Sequence, residues 1–106
     1  MPEPKKTRRQ ILEEFVAKKP DDAFSRYGLA MECMNSGDPA AADLQFRTLL
    51  EKNADYVPAY LIYGQFLARQ SRPAEASQVL TSGIAVASQK GDAHARSEME
   101  ALLSEL

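Results

Sequence analysis

The chain has 106 residues, of which 44% are hydrophobic and 26% charged, with one cysteine and a formal net charge of −2. This size fits one small domain with a single core, and the near-neutral charge argues against a general nucleic-acid or membrane-surface binder. One cysteine excludes an internal disulfide and a cysteine-rich zinc site. No apolar run follows the start of the chain and none is long enough to span a membrane, so we expect a cytoplasmic protein without a secretory signal.

The first half of the chain predicts three helices. Thr7 and Gln10 form a capping-box pattern that opens the first helix, and Pro20 ends it. A second helix lies between Pro20 and the turn before Pro39. Pro39 then stands at the entry of a third helix, which ends near Asn53.

The second half predicts three more helices. A fourth begins near Pro58, and Pro73 opens a fifth that can reach Gln89. A last helix follows the turn at 90–92, and its apolar stripe consists of Ala95, Met99, Leu102 and Leu106. No stretch alternates apolar and polar residues for long enough to be a strand. Helices joined by such short turns pack antiparallel, so the sequence predicts an all-α fold.

The chain repeats itself at a distance of 34 residues. The matched pairs are Pro39 and Pro73, Ala40 and Ala74, Ala42 and Ala76, Phe46 and Leu80, Leu50 and Ile84, Leu29 and Tyr63, and Ala30 and Gly64. A helix–turn–helix period of this length is typical of one class of helical solenoid. A competing match of Phe24 and Tyr27 with Tyr60 and Tyr63, at a spacing of 36, would break the alignment of the two prolines, and we reject it.

In this register the chain resembles the tetratricopeptide repeat family, whose pattern is W-x2-L-G-x2-Y, then A-x3-F, then P. The second unit matches with Tyr60, Tyr63, Gly64, Leu67, Ala76 and Leu80, and the first with Leu29, Ala30, Cys33, Ala42 and Phe46. Three positions depart from it, since Arg26 replaces the large aromatic residue and Ala54 and Ser88 replace the closing proline.

The resemblance implies a single domain over residues 1–106, built as a right-handed solenoid of about six helices in antiparallel hairpins. Its parts would be an N-terminal half-repeat helix at 8–20, repeat 1 at 21–54, repeat 2 at 55–88 and a C-terminal capping helix at 92–106. Terminal helices of solenoids are commonly atypical because one of their faces meets water.

The resemblance also implies a non-catalytic protein–protein interaction module, in which the first helix of each unit lines a concave face. The predicted partner-binding residues are Phe24, Tyr27, Met31 and Met34 in the first unit and Leu61, Gln65 and Arg69 in the second. The carboxylate clamp of some family members is not expected, because Tyr27, Met31 and Ile62 occupy the corresponding places. Two alternatives stay open: the apolar face is buried in a homodimer, or Phe24 and Tyr27 cover the first helix within the fold.

Little in the sequence supports chemistry. His94 and Glu98 lie one helical turn apart but provide only two metal ligands, and Cys33 occupies a slot that is usually buried. We therefore predict no enzyme activity, no metal and no cofactor. Residues 1–19 hold six basic and three acidic side chains. A nucleic-acid contact through Lys5, Lys6, Arg8 and Arg9 is a third hypothesis, although no nucleic-acid partner and no membrane association are expected.

Overall fold

The computed structural model describes residues 5–106, and these form six α-helices and no β-strand. The helices are α1 (Arg8–Lys18), α2 (Ala23–Asn35), α3 (Pro39–Lys52), α4 (Val57–Arg69), α5 (Pro73–Lys90) and α6 (Ala93–Ser104). The predicted all-α class is confirmed. The first four residues, which belong to the stretch in which no secretory signal was found, lie outside the described residues. None of the helices described in 5–106 is long and apolar enough to cross a bilayer.

The chain divides into two compact units, Met1–Asn53 (unit 1) and Ala54–Leu106 (unit 2). The repeat boundaries predicted at 21–54 and 55–88 stay a prediction. Each unit contains one complete helix pair and one additional helix, which is α1 in unit 1 and α6 in unit 2.

The helices of unit 1 begin where their capping residues place them. The predicted capping box at α1 is present, with the Gln10 backbone N–H donating to Thr7 Oγ1 at 3.1 Å and the Thr7 N–H donating to Gln10 Oε1 at 2.8 Å. Asp22 accepts from the Ser25 N–H to cap α2, and Asp38 accepts from the Ala41 N–H to cap α3. Such caps contribute about 1 kcal/mol each to helix stability.

The core of unit 1 is the seam between α2 and α3. Six side chains in this seam are buried: Leu29, Ala30, Cys33, Ala42, Phe46 and Leu49. On the other side of α2, Gly28 lets α1 approach closely, because a Cβ there would lie 3.3 Å from Leu12 Cδ2. Helix α1 packs less completely than α3, since Phe15 stays 54% exposed and Ile11 42% exposed.

The core of unit 2 depends on two glycines, because their lack of a side chain leaves room for neighbouring residues. A Cβ on Gly64 would lie 2.5 Å from Leu80 Cδ2, so α4 and α5 can pack at their observed distance only without it. A Cβ on Gly83 would lie 2.5 Å from the Cβ of Tyr60 and 2.6 Å from Met99 Sδ. Gly83 therefore allows α5 to pack closely against both α4 and α6, and Met99 of α6 is fully buried.

In each pair, a side chain of the first helix donates a hydrogen bond to a backbone carbonyl that precedes the helix. In unit 2, the Tyr60 hydroxyl donates to the Ala54 carbonyl at 2.5 Å. In unit 1, Arg26 Nη2 donates to the Pro20 carbonyl at 3.0 Å, and its Nη1 donates to Gln45 Oε1 at 2.9 Å. Arg26 and Tyr60 are 34 positions apart, and so are Pro20 and Ala54. The two units therefore repeat the same hydrogen bond with different side chains.

Candidate partner-binding site

The orientation of α2 decides which side chains can meet a partner. Its buried residues are Arg26, Leu29, Ala30 and Cys33. Tyr27, Met31 and Met34 lie between these positions and are half-buried, whereas Phe24 is 75% exposed. This is the orientation that the 34-residue register requires, because the alternative spacing would have placed Tyr27 and Met31 in the seam.

Three of the predicted residues share one groove on unit 1, which we call the α2 groove. Its volume is about 320 Å³, and it is lined by Arg8, Phe24, Tyr27, Gly28, Met31, Glu32 and Asn35. Arg8 Nε lies 3.5 Å from Glu32 Oε2, so a charged pair forms part of the lining beside the aromatic and methionine side chains. Met34 is not among the residues that line this groove.

The predicted residues of unit 2 form a stripe on α4. Leu61, Gln65 and Arg69 are four residues apart, so they lie on one face of the helix. Leu61 and Gln65 are half-buried and Arg69 is exposed. On the opposite side, Tyr63 and Phe66 are buried and stacked with ring centroids 6.2 Å apart. The stripe thus changes from apolar to cationic along the helix.

A second groove on unit 1 was not expected from the sequence. It has a volume of about 330 Å³ and is lined by Arg8, Leu12, Phe15, Phe24, Ser25 and Gly28, and we call it the α1/α2 groove. One alternative from the sequence was that Phe24 and Tyr27 cover Ile11 and Phe15. Phe15 and Phe24 instead stand exposed on the two sides of the groove. Helical periodicity places Phe15 on the apolar stripe of α1 but carries no signal for what covers it.

An ion pair connects α1 to the start of α3 within unit 1. Arg9 Nη1 donates to Asp38 Oδ2 at 2.9 Å. This hydrogen bond, with that from the Ala41 N–H, lowers the pKa of the Asp38 carboxyl, so the carboxylate form is favoured. Both side chains are partly exposed, so the pair positions α1 more than it stabilises the fold.

The side chains considered for chemistry lie apart from these grooves. Cys33 is buried, and burial raises the pKa of its thiol, which favours the unreactive protonated form. His94 is exposed on α6 and pairs with Glu98 at 2.5 Å. Among residues 5–106, no three or more His, Cys, Asp or Glu side chains are grouped so as to hold a metal ion.

Comparisons with known proteins agree with this architecture. The chain is 30% identical over 95 residues to a TPR repeat-containing protein of Pseudomonas aeruginosa. This match covers 90% of each of the two chains. It is 31% identical to the crystal structure of a tetratricopeptide repeat domain protein from Salinibacter ruber, with a TM-score of 0.74 over 79% of this chain and 93% of that one. A Bordetella parapertussis protein solved in solution is 26% identical, with a TM-score of 0.79 over 95% of this chain and 88% of that one.

No family model matches the sequence. The family pattern is only partly present in this chain, because Arg26 replaces the large aromatic residue and Ala54 replaces the closing proline. The identity to the Pseudomonas protein extends over nine-tenths of each chain, and the described helices form pairs at the 34-residue period. The chain therefore belongs to the tetratricopeptide repeat family.

Proposed function

We propose that this protein holds a segment of a partner protein against the exposed face of α2, with a second contact on α4. Domains of this family generally act as non-catalytic protein-interaction modules, and the first helix of each pair supplies the binding face. In this chain, those helices are α2 and α4.

The observation that supports the proposal is the α2 groove. Aromatic and methionine side chains are enriched at interfaces, and methionine adapts its shape to different ligands. Phe24, Tyr27 and Met31 line an open groove of about 320 Å³, although their neighbours Leu29 and Cys33 are buried. We assign Phe24, Tyr27, Met31 and Met34 as apolar anchors for the partner.

The stripe on α4 would add orientation to this apolar contact. Leu61 is the apolar anchor of unit 2, while Gln65 and Arg69 can donate hydrogen bonds to the backbone or a carboxylate of the partner. The exposed guanidinium of Arg69 contributes mainly to the direction and rate of association, because exposed charges add little affinity.

The test is selection of binding peptides from a phage-displayed random library on the wild-type chain. Peptides selected in this way should bind the double variant Tyr27→Ala/Met31→Ala at least tenfold more weakly, since anchor truncation costs more than about 1.4 kcal/mol. Arg69→Ala should weaken binding less.

Leu44→Ala is the matched control, because Leu44 is also an exposed apolar residue of unit 1 but lies on α3. It should leave peptide binding unchanged. Peptides that bind the double variant as tightly as the wild type would contradict the proposal. If the wild type is a dimer and the double variant is a monomer, the same face serves self-association, which is the alternative function.

A further inference from the structure

Helix α1 is held in unit 1 less firmly than α2 and α3 are held against each other. Within Arg8–Lys18, which the structure describes in full, no residue is buried, and Arg9, Leu12 and Val16 are half-buried. The α1/α2 groove of about 330 Å³ leaves a gap between the two helices, with the exposed Phe15 on one side of it. The seam between α2 and α3, by contrast, buries six side chains. Segments with few buried apolar contacts open locally at a low cost in free energy.

Two ion pairs between described residues fasten α1 to the other helices of unit 1. Arg9 Nη1 donates to Asp38 Oδ2 at 2.9 Å, and Arg8 Nε lies 3.5 Å from Glu32 Oε2. The side chain of Arg8 is 80% exposed and that of Asp38 41% exposed. Exposed ion pairs contribute little to stability and weaken when salt is added. The docking of α1 should therefore depend on ionic strength, beside the apolar contact that Leu12 makes with α2.

The turn that follows α1 is fastened to α2 and α3. The Pro20 carbonyl accepts a hydrogen bond from Arg26 Nη2 at 3.0 Å, and Lys52 Nζ donates to Asp21 Oδ1 at 3.3 Å. Lys19, which lies between this turn and the last residue of α1, has φ of −132° and ψ of 72°, so the helix ends there. Lys19 is therefore the place about which α1 can swing while the turn keeps its contacts with the helix pair.

From these contacts we infer that α1 opens and closes about Lys19 while the α2/α3 pair stays folded, and that a ligand in the α2 groove holds α1 closed. Arg8 belongs to α1 but lines the α2 groove, whose other lining residues belong to α2. A ligand seated there contacts both helices when α1 is closed, so it binds the closed form more tightly than the open form. Linkage then requires that the closing of α1 strengthens ligand binding by the same factor. The coupling rests on the proposed function, whereas the opening does not.

Native-state hydrogen exchange of the free protein tests the opening. An isolated helix of 11 residues is marginal in water, so α1 unwinds when it leaves α2 and its amides become accessible to solvent. The protection factors of amides in the last two turns of α1 should be at least about tenfold lower than those in α2 and α3. Raising the salt concentration to about 1 M should lower the protection of α1 further but not that of α2 or α3, because the Debye length falls to about 3 Å.

Asp38→Asn tests the ion pair without removing a helix cap. Asp38 also caps α3 by accepting from the Ala41 N–H, and asparagine is as good an N-cap residue as aspartate. The variant should lower the protection of α1 by about threefold, which is the size of effect that an exposed ion pair provides, and leave α2 and α3 unchanged.

Asp22→Asn is the matched control. Asp22 caps α2 in the same way, by accepting from the Ser25 N–H, and among residues 5–106 it forms no ion pair with α1. The same chemical change at this position should leave the protection of α1 as it is in the wild type.

A peptide tests the coupling when its binding is lost in Tyr27→Ala/Met31→Ala. Such a peptide occupies the α2 groove, so its binding should raise the protection of α1 severalfold. Arg8→Ala removes the contribution of α1 to the groove lining and should abolish this gain in protection, although the peptide still binds to the residues of α2.

Three results would overturn the inference. They are an α1 that is as well protected as α2 and α3, equal effects of Asp38→Asn and Asp22→Asn on α1, and a protection of α1 that stays the same or falls when the peptide binds. If no selected peptide depends on Tyr27 and Met31, the proposed function fails and the coupling fails with it. Exchange of the free protein then still decides whether α1 opens.

Discussion

Residues 26 and 60 occupy matched positions in the two units, but they hydrogen-bond the backbone before their helices with different side chains. Tyr60 buries a ring and needs one hydrogen bond, which its hydroxyl donates to the Ala54 carbonyl. Arg26 is only 8% exposed and carries a charge into the same slot. Its two Nη atoms are hydrogen-bonded to Pro20 and Gln45, but its Nε is buried without a hydrogen-bond partner.

The difference shows what the slot requires. A buried guanidinium is costly to desolvate, and an unpaired buried N–H adds to that cost. Both residues nevertheless reach the carbonyl six positions earlier and close the turn before the helix. The requirement is therefore a long side chain with a donor at its tip, and an aromatic ring is one of two ways to meet it.

The largest expected effect on stability concerns another matched position, at which unit 1 has the buried Leu49 and unit 2 has Gly83. The test gives unit 2 the residue of unit 1. Gly83→Leu would drive its side chain into Tyr60 and Met99, so α6 must move away from α5. We expect the free energy of unfolding to fall by about 3 kcal/mol, at the upper end for overpacked cores. Urea unfolding monitored by circular dichroism measures this loss.

The neighbouring exposed position provides the control for this exchange. Ser82→Leu should change stability by no more than about 0.5 kcal/mol, as is usual for surface substitutions. If Gly83→Leu unfolds at the same urea concentration as Ser82→Leu, the close approach of α6 to α5 is not a requirement of the fold.

A smaller effect is expected at Arg26. Arg26→Ala leaves the Pro20 carbonyl and Gln45 without this donor and opens a cavity, which should cost about 2 kcal/mol. Arg26→Tyr copies unit 2 and should restore most of this loss, because its hydroxyl can reach the Pro20 carbonyl and no charge is buried. Thermal and urea unfolding of both variants measure the difference. Equal losses in the two would show that unit 1 needs the guanidinium itself.

The smallest effect concerns the turn between the paired helices. Gly37 has φ of 78° and Ser71, at the matched position, has φ of 59°. Only glycine adopts this left-handed region without a steric cost. Ser71→Gly should therefore stabilise the protein and Gly37→Ala destabilise it, each by about 1 kcal/mol. Urea midpoints of the two variants should shift in opposite directions, and a shift in the same direction would contradict the comparison.

Local signals in the sequence were sufficient to predict most of the fold. Thr7 and Gln10 fixed the start of α1 because a capping box depends on neighbouring residues only. Pro39 and Pro73 fixed the register, because each stands at the first position of its helix. The burial of Leu29 and Cys33 then follows from the helical period, and so does the exposure of the α2 face.

The rest depends on distances between elements, which periodicity does not contain. The sequence showed Arg26 as a departure from the family pattern but did not identify Gln45 as its partner. Gly83 appeared as an isolated glycine, although its lack of a side chain makes room for Met99. The α1/α2 groove was missed for the same reason, since its presence depends on how far Phe15 stands from Phe24.

The two ends of the second helix pair lie side by side. Lys90 Nζ, at the end of α5, donates to the Asp55 carbonyl at 3.2 Å and lies 3.5 Å from its carboxylate, just before α4. A hairpin that returns to its own starting point can be followed directly by another copy of itself. Tandem duplication of a 34-residue hairpin would thus lengthen the protein one hairpin at a time, provided that the last pair still offers α6 the space that Gly83 leaves for Met99.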